Sequence, residues 1–193
     1  MRTAAAVFTS VAVLVEVAWL AFGDATIGPV TIGVVSLVAV TAVTLGRVRA
    51  LVVVTRVALG VLFAGSVADR FGMFGAPGSA GVSWGSYAEF VDYTRTLLPA
   101  FAADAAPIAA GVATVAEAVL GAALIFAVRP RLTAAAAAAL FTMFAVAMVT
   151  SVGFAETADY AVPVMIGGAL LVSAAAAPAS QSRRFGFGRR EIA

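Results

Sequence analysis

A chain of 193 residues with 63% hydrophobic and only 11% charged side chains, and a mean hydropathy of +1.07, lies far from the composition of a water-soluble domain. Its 12 basic and 10 acidic residues leave a net charge of +2. With no cysteine and no histidine it has no disulfide, no thiolate or imidazole metal site, no His-ligated haem and no His-based nucleophilic triad. Any redox role therefore needs a bound cofactor or a partner. Every basic residue is arginine, the base-composition signature of a GC-rich prokaryotic genome.

In chain order, six apolar stretches are each long enough to cross a bilayer, which takes about 20 residues apiece. They are residues 3–22, 27–46, 50–69, 105–128, 132–153 and 159–178. Together they leave no room for a separate soluble catalytic domain, so the expectation is an all-α membrane protein of six spans. Arg2 precedes the first span, and Arg47 with Arg49 lies between the second and third. Arg129 with Arg131 lies between the fourth and fifth, and Arg183, Arg184, Arg189 and Arg190 follow the sixth. The positive-inside rule places all of these, and both termini, in the cytoplasm of a cell-membrane protein. The other side receives Asp24, the loop from Arg70 to Asp104, and Glu156 with Asp159, a set that is acidic or nearly balanced. The first span has the outline of a signal peptide, but Glu16 interrupts its apolar run and no small-x-small cleavage site follows Leu20 directly. It is expected to be retained.

Within the long outer loop, Gly72 to Gly85 is rich in Gly, Ser and Pro and reads as a flexible connection. Ser86-Tyr87-Ala88-Glu89 then fits a capping box, and Trp84, Tyr87, Phe90, Val91, Leu97, Leu98 and Phe101 recur at near-helical spacing. A short amphipathic helix is expected over about 86–98, stopped by Pro99. It would rest at the outer headgroups or form a lid of Trp84, Tyr87 and Phe90 over the bundle mouth. The alanine run from Ala134 to Ala139, with Gly111, Gly121, Gly167 and Gly168, offers surfaces for close helix approach. Pro163 is expected to bend the last helix. The tail from Ser182 to Arg190, with Phe185 and Phe187, is expected to lie on the anionic inner leaflet. So short a tail offers little to nucleic acid.

The order of several motifs carries a resemblance. Arg56-Val57-Ala58-Leu59-Gly60 is followed by Phe63, Gly65 and Asp69-Arg70-Phe71, and then by Phe90, Leu98 and Pro99. Ala116-Glu117-Ala118-Val119-Leu120-Gly121 follows, with Leu124, Arg129, Arg131 and the alanine run after it. Over about residues 50–178 this resembles the DoxX family of small prokaryotic integral membrane proteins. The resemblance implies a four-helix transmembrane core over 50–178; the two-helix extension over 1–46 that precedes it departs from the family pattern, and a basic cytoplasmic tail over 179–193 follows. The resemblance also implies a setting in quinone-linked electron transfer, sulfur metabolism or oxidative-stress complexes, with a bound quinone and a protein partner that carries the redox centre. The chain departs from the family pattern at the basic position after the first core helix. That position is usually Lys, and here it is Arg70 beside Asp69, which keeps the charge but changes its hydrogen-bonding geometry.

Three ionisable residues fall inside the spans, where a charge costs roughly 3 kcal/mol or more unless paired or hydrated. At about 1.5 Å rise per residue, Arg56 lies roughly 9 Å from the inner boundary, Glu117 about 16 Å and Glu16 about 20 Å. These depths allow one buried cluster of Glu117, Arg56 and Glu16. Two readings stand side by side for it: a structural pair that locks helix register, or a proton or ligand site centred on Glu117. Asp69 and Arg70 read as a salt-bridged, solvated helix end, with contact to an anionic ligand or lipid headgroup as the second reading.

Three functions fit the sequence: an accessory subunit of a redox or sulfur-metabolism system, a small proton-coupled permease, or a structural protein that contacts lipids. A hydrated cavity would favour the second, and a fully packed interior the third.

Overall fold

The computed structural model describes residues 2–22 and 28–176. Among them the chain is all helical, with no strand. The helices are α1 (Arg2–Phe22), α2 (Pro29–Val43), α3 (Arg49–Arg70), α4 (Tyr87–Leu97), α5 (Ala106–Ile125), α6 (Pro130–Ser151), α7 (Phe154–Asp159) and α8 (Val162–Ala175). A 3-10 segment, Ala100–Ala105, leads directly into α5. Four stretches are long and apolar enough to cross a membrane: α1, α3, α6, and α5 with its 3-10 lead, Ala100–Ile125. They make this a multi-pass membrane protein. The helices α2 and α8 are equally apolar but shorter, at 15 and 14 residues. Asp24 and the arginine-rich tail lie outside the described residues.

The local sequence explains where helices begin. Pro29, Pro107, Pro130 and Pro163 each stand in the first turn of a helix, where no intrahelical partner is required of the backbone nitrogen. Pro163 therefore starts α8 rather than bending a longer helix. The expected sixth span is shorter than drawn, because Ala161 adopts a left-handed φ of 50° and separates α7 from α8. Ser86 caps α4 as expected, its hydroxyl accepting from the Glu89 amide at 3.2 Å.

Packing centres on α8, which touches α1, α2, α3 and α6. Its small residues let neighbours come close. A Cβ on Gly167 would lie 2.7 Å from Thr9 Oγ1 and 2.9 Å from Thr9 Cα of α1, and one on Gly168 would lie 2.9 Å from Val38 of α2. The N-terminal pair is thus packed onto the last helix. A second close approach joins α3 to α5. A Cβ on Gly60 would lie 2.8 Å from the Gly121 carbonyl oxygen, and one on Gly121 would lie 3.1 Å from that of Gly60. The main hydrophobic core lies between α3, α5, α6 and α8, where Phe63 and Phe141 stack with ring centres 4.5 Å apart.

The bundle has two chemically distinct ends. Arg2 donates to the carbonyls of Ala174 and Ala175 at 3.3 and 3.0 Å, closing the C-terminus of α8. Ser173 donates to the Arg131 carbonyl at 3.0 Å, and Gly46 packs beside Ala175. These contacts gather Arg2, Arg47, Arg49, Arg129 and Arg131 at one end. At the other, Trp19 donates to Asp159 at 3.3 Å, so Asp159 is a tethered partner of α1 rather than a plain loop residue.

Gly60→Ala and Gly167→Ala are each expected to cost about 1–3 kcal/mol, because the added methyl must push packed helices apart. Gly33→Ala, which meets nothing within 4 Å, should be neutral or slightly stabilising. Thermal unfolding of the detergent-solubilised variants checks the order; equal midpoints for the three would refute the close approaches.

Candidate functional site

The close approach at Gly60 and Gly121 fixes the register of two antiparallel helices, and that register decides which charges meet. Arg56 comes opposite the C-terminus of α5 and donates to the Leu124 carbonyl and, at 3.2 Å, to that of Ile125. It therefore closes the helix end and does not reach Glu117. Farther along α3, Arg70 comes opposite Thr114 and Glu117. Its guanidinium donates to Glu117 Oε1 at 2.6 Å, to Thr114 Oγ1 at 2.9 Å and to Ser66 Oγ at 3.0 Å. The expected cluster of Glu117, Arg56 and Glu16 is thus replaced by one of Glu117, Arg70, Thr114 and Ser66. Depth alone misassigned the partner, because α5 ends opposite Arg56 rather than level with the start of α3.

Arg70 and Glu117 are each only 2% exposed, so the pair is fully withdrawn from water. It is not the solvated helix end expected of Asp69 and Arg70. These neighbours in sequence point different ways from the last turn of α3 and serve different elements. Asp69 Oδ2 accepts from the amides of Ser83 and Trp84 at 3.0 and 2.9 Å, folding the Gly-rich loop back onto the bundle. That loop is a set of tight turns rather than a loose connection. At Gly85, φ is +68° and a Cβ would fall 2.5 Å from the Pro77 nitrogen, so only glycine fits.

The folded loop delivers Trp84 over the guanidinium, and α4 delivers Phe90. The Arg70 Cζ lies 3.5 Å from the Phe90 ring centre and 5.2 Å from that of Trp84. The two rings meet edge to face at 5.2 Å. A cation on aromatic faces away from water gains about 2 kcal/mol or more. Of the three expected lid residues, Trp84 and Phe90 cover the charge. Tyr87 stacks instead on Phe71, at 6.2 Å, and donates to the Pro107 carbonyl at 3.5 Å.

Beneath this roof lies a mostly apolar cavity of about 610 Å³ between α3, α4, α5, α6 and α8. Phe63, Phe141, Phe144, Met148 and Met165 supply apolar wall, and Ser66, Asp69, Arg70, Tyr93, Glu117 and Tyr160 supply its polar part. Four buried polar atoms have no hydrogen-bond partner among the described residues: Asp69 Oδ1, Arg70 Nε, the Tyr93 hydroxyl and Glu16 Oε1. Three of the four belong to residues of this one cavity. Burial, reinforced by the nearby Glu156 carboxylate, pushes the Tyr93 phenol above its usual range, so it stays protonated and able to donate. Glu16 does not line the cavity. It is buried on α1, the helix that packs along α8 and α2. Ser66, Thr114 and Tyr93 were not singled out from sequence. Ser66 and Thr114 stand four and three residues before Arg70 and Glu117, so they share the same helix faces.

Chemically the site offers a fixed cation, carboxylates and a phenol in the wall of a greasy chamber, the makeup of a pocket that orients an amphiphilic molecule. Truncating one partner of a buried pair strands the other. Glu117→Ala is therefore expected to cost about 3–5 kcal/mol, while the double change Arg70→Met with Glu117→Leu should recover most of that loss. A double-mutant cycle on thermal unfolding measures this, and additive losses would show that the two side chains are not coupled.

Compared with protein-family models, with curated proteins and with solved structures, the chain matches none of them.

Proposed function

We propose that this chain is a DoxX-like membrane protein that serves as an accessory subunit of a quinone-linked redox or sulfur-metabolism system. The observation that carries the reading is the mostly apolar cavity of about 610 Å³ with the Arg70–Glu117 pair in its wall. A prenylated quinone has the matching form: a polar ring to lie near Arg70 and Tyr93, and an apolar body for the surrounding Phe and Met side chains. The chain supplies no cysteine or histidine, so the electron-transferring centre belongs to a protein partner. A permease reading draws on the same cavity and makes Glu117 the proton carrier. The lipid-organising reading calls for a packed interior, and the cavity weighs against it.

The same proposal places the arginine end in the cytoplasm and counts six spans, in accord with the positive-inside rule. At about 1.5 Å per residue, α2 and α8 reach roughly 22 and 21 Å against a hydrocarbon core of about 30 Å, a mismatch that local thinning can absorb. The chain has no native cysteine, so single cysteines test this cleanly. A membrane-impermeant maleimide on intact cells should label Ser79→Cys and Ala155→Cys. It should reach Val48→Cys, Val128→Cys and Ser182→Cys only after lysis. Labelling of all five from one side would overturn the arrangement.

Native mass spectrometry of the protein, gently extracted from its own membranes, should find a quinone or a copurifying redox subunit. Glu117→Gln should lower quinone occupancy about tenfold or more, the scale of one hydrogen bond to a charged group. A wild-type chain that carries neither would overturn the accessory-subunit reading. Uptake activity abolished by Glu117→Gln would establish the permease instead.

A further inference from the structure

At the acidic end of the bundle the cavity is roofed over the buried pair, and part of its wall reaches the surface beside α2 and α3. Toward that end stand α4 and the folded loop, with Trp84 and Phe90 over Arg70 and the loop held down by Asp69. On the flank, the wall continues out to Val30 of α2, Val61 of α3 and Phe74, which are 66%, 54% and 60% exposed. All three are apolar, and Phe74 belongs to the folded loop. Between this rim and the buried pair lies Gly65, one turn before Asp69. It lines the cavity, and a Cβ built on it meets nothing within 4 Å. The contrast with Gly60 on the same helix is direct, since there the missing side chain admits the backbone of α5. At Gly65 the missing side chain leaves room that no described residue fills.

We infer that the cavity opens sideways into the bilayer between α2 and α3, and that its ligand is a membrane-dissolved amphiphile with a hydrocarbon tail. The head lies by Arg70 and Glu117, and the tail leaves over Gly65 between Val30 and Val61. This rests on the cavity being the lipophile site proposed above, and it adds the direction of entry and the requirement for a tail. A second stretch of wall reaches the surface at Met143 of α6, 55% exposed. The tail is assigned to the Gly65 side because that side alone combines a three-residue apolar rim with unfilled space at a glycine.

The test uses the full chain in lipid nanodiscs and two probes that share one head, a benzoquinone with a decyl chain and the same ring with a methyl in its place. Binding is read from quenching of tryptophan fluorescence, Trp84 being part of the cavity wall. The wild type should bind the decyl probe more tightly than the methyl probe. Gly65→Leu should weaken the decyl probe at least about tenfold, the loss of a few buried methylenes, and leave the methyl probe within about twofold. Val61→Phe, changed on the lipid-facing rim, should do the same if Gly65→Leu does not fold. Gly33→Leu, on the exposed surface of α2 away from the cavity, should change neither. Unchanged decyl binding in the rim variants, equal loss of both probes, or selective loss in Met143→Trp instead, would overturn the sideways route while leaving the lipophile site standing. Failure of both probes on the wild type would overturn the proposed function, and this inference with it.

Discussion

The buried pair of Arg70 and Glu117 is the constraint around which one half of the bundle, with α4 and the folded loop, is arranged. In an apolar interior neither charge is tolerable alone, and attraction between the two offsets their desolvation only when further hydrogen bonds complete the geometry. Here Thr114 and Ser66 provide those bonds, and the faces of Phe90 and Trp84 take the place of water. None of this can form unless α3 and α5 run close together, and that needs glycine at both 60 and 121. A backbone contact in the bundle thus sets the position of a charge pair about one turn along α5 and about three along α3. The pair in turn gives the loop and α4 something to close over.

A similar economy governs the other half. The helix α8 is nearly all small and aliphatic, and its glycines admit α1 on one face and α2 on the other. Threonines in this half are satisfied locally: Thr9 returns its hydroxyl to the Ala5 carbonyl at 2.7 Å, and Thr41 of α2 and Thr55 of α3 bond each other at 2.8 Å. In lipid, where hydrophobic burial does not distinguish neighbour from solvent, such close packing and short polar links are what hold helices together. The arginines at one end add helix-end contacts, with Arg2 on α8 and Arg56 on α5 each donating to free carbonyls. The charge asymmetry of the sequence thus also serves as a set of C-terminal caps.

Much of this was legible from periodicity and punctuation. The third stretch, drawn over 50–69, is the helix Arg49–Arg70, and the fifth, drawn over 132–153, is Pro130–Ser151. Ser86 caps α4 as its motif requires. Such features are local, fixed within one or two turns of chain. What stayed hidden was register between helices. Glu117 was identified as a buried carboxylate, but its partner depends on how far α3 slides along α5, and two glycine contacts decide that. Asp69 and Arg70 were read as one unit because they are adjacent in sequence. On a helix, adjacent side chains diverge by about 100°, which sends one to the loop and the other inward. The Gly-rich loop read as loose because composition reports freedom in the unfolded chain. Two amide hydrogen bonds to a buried carboxylate then use that freedom to make tight turns.

The cavity survives in this bundle because the large residues around it are committed elsewhere. Phe63 is held against Phe141, and Phe90 is held against the guanidinium of Arg70. Neither can swing inward without giving up a ring contact or exposing a charge to an apolar space. Collapse of the helices is blocked at Gly60 and Gly121, where the backbones are already in contact and can approach no further. Arg70, which would meet a ligand's head under the proposed function, thus also helps keep room for it by holding Phe90. A substitution that relaxes the pair should alter the chamber's shape as well as its charge, so binding and stability at this site are coupled through one set of side chains.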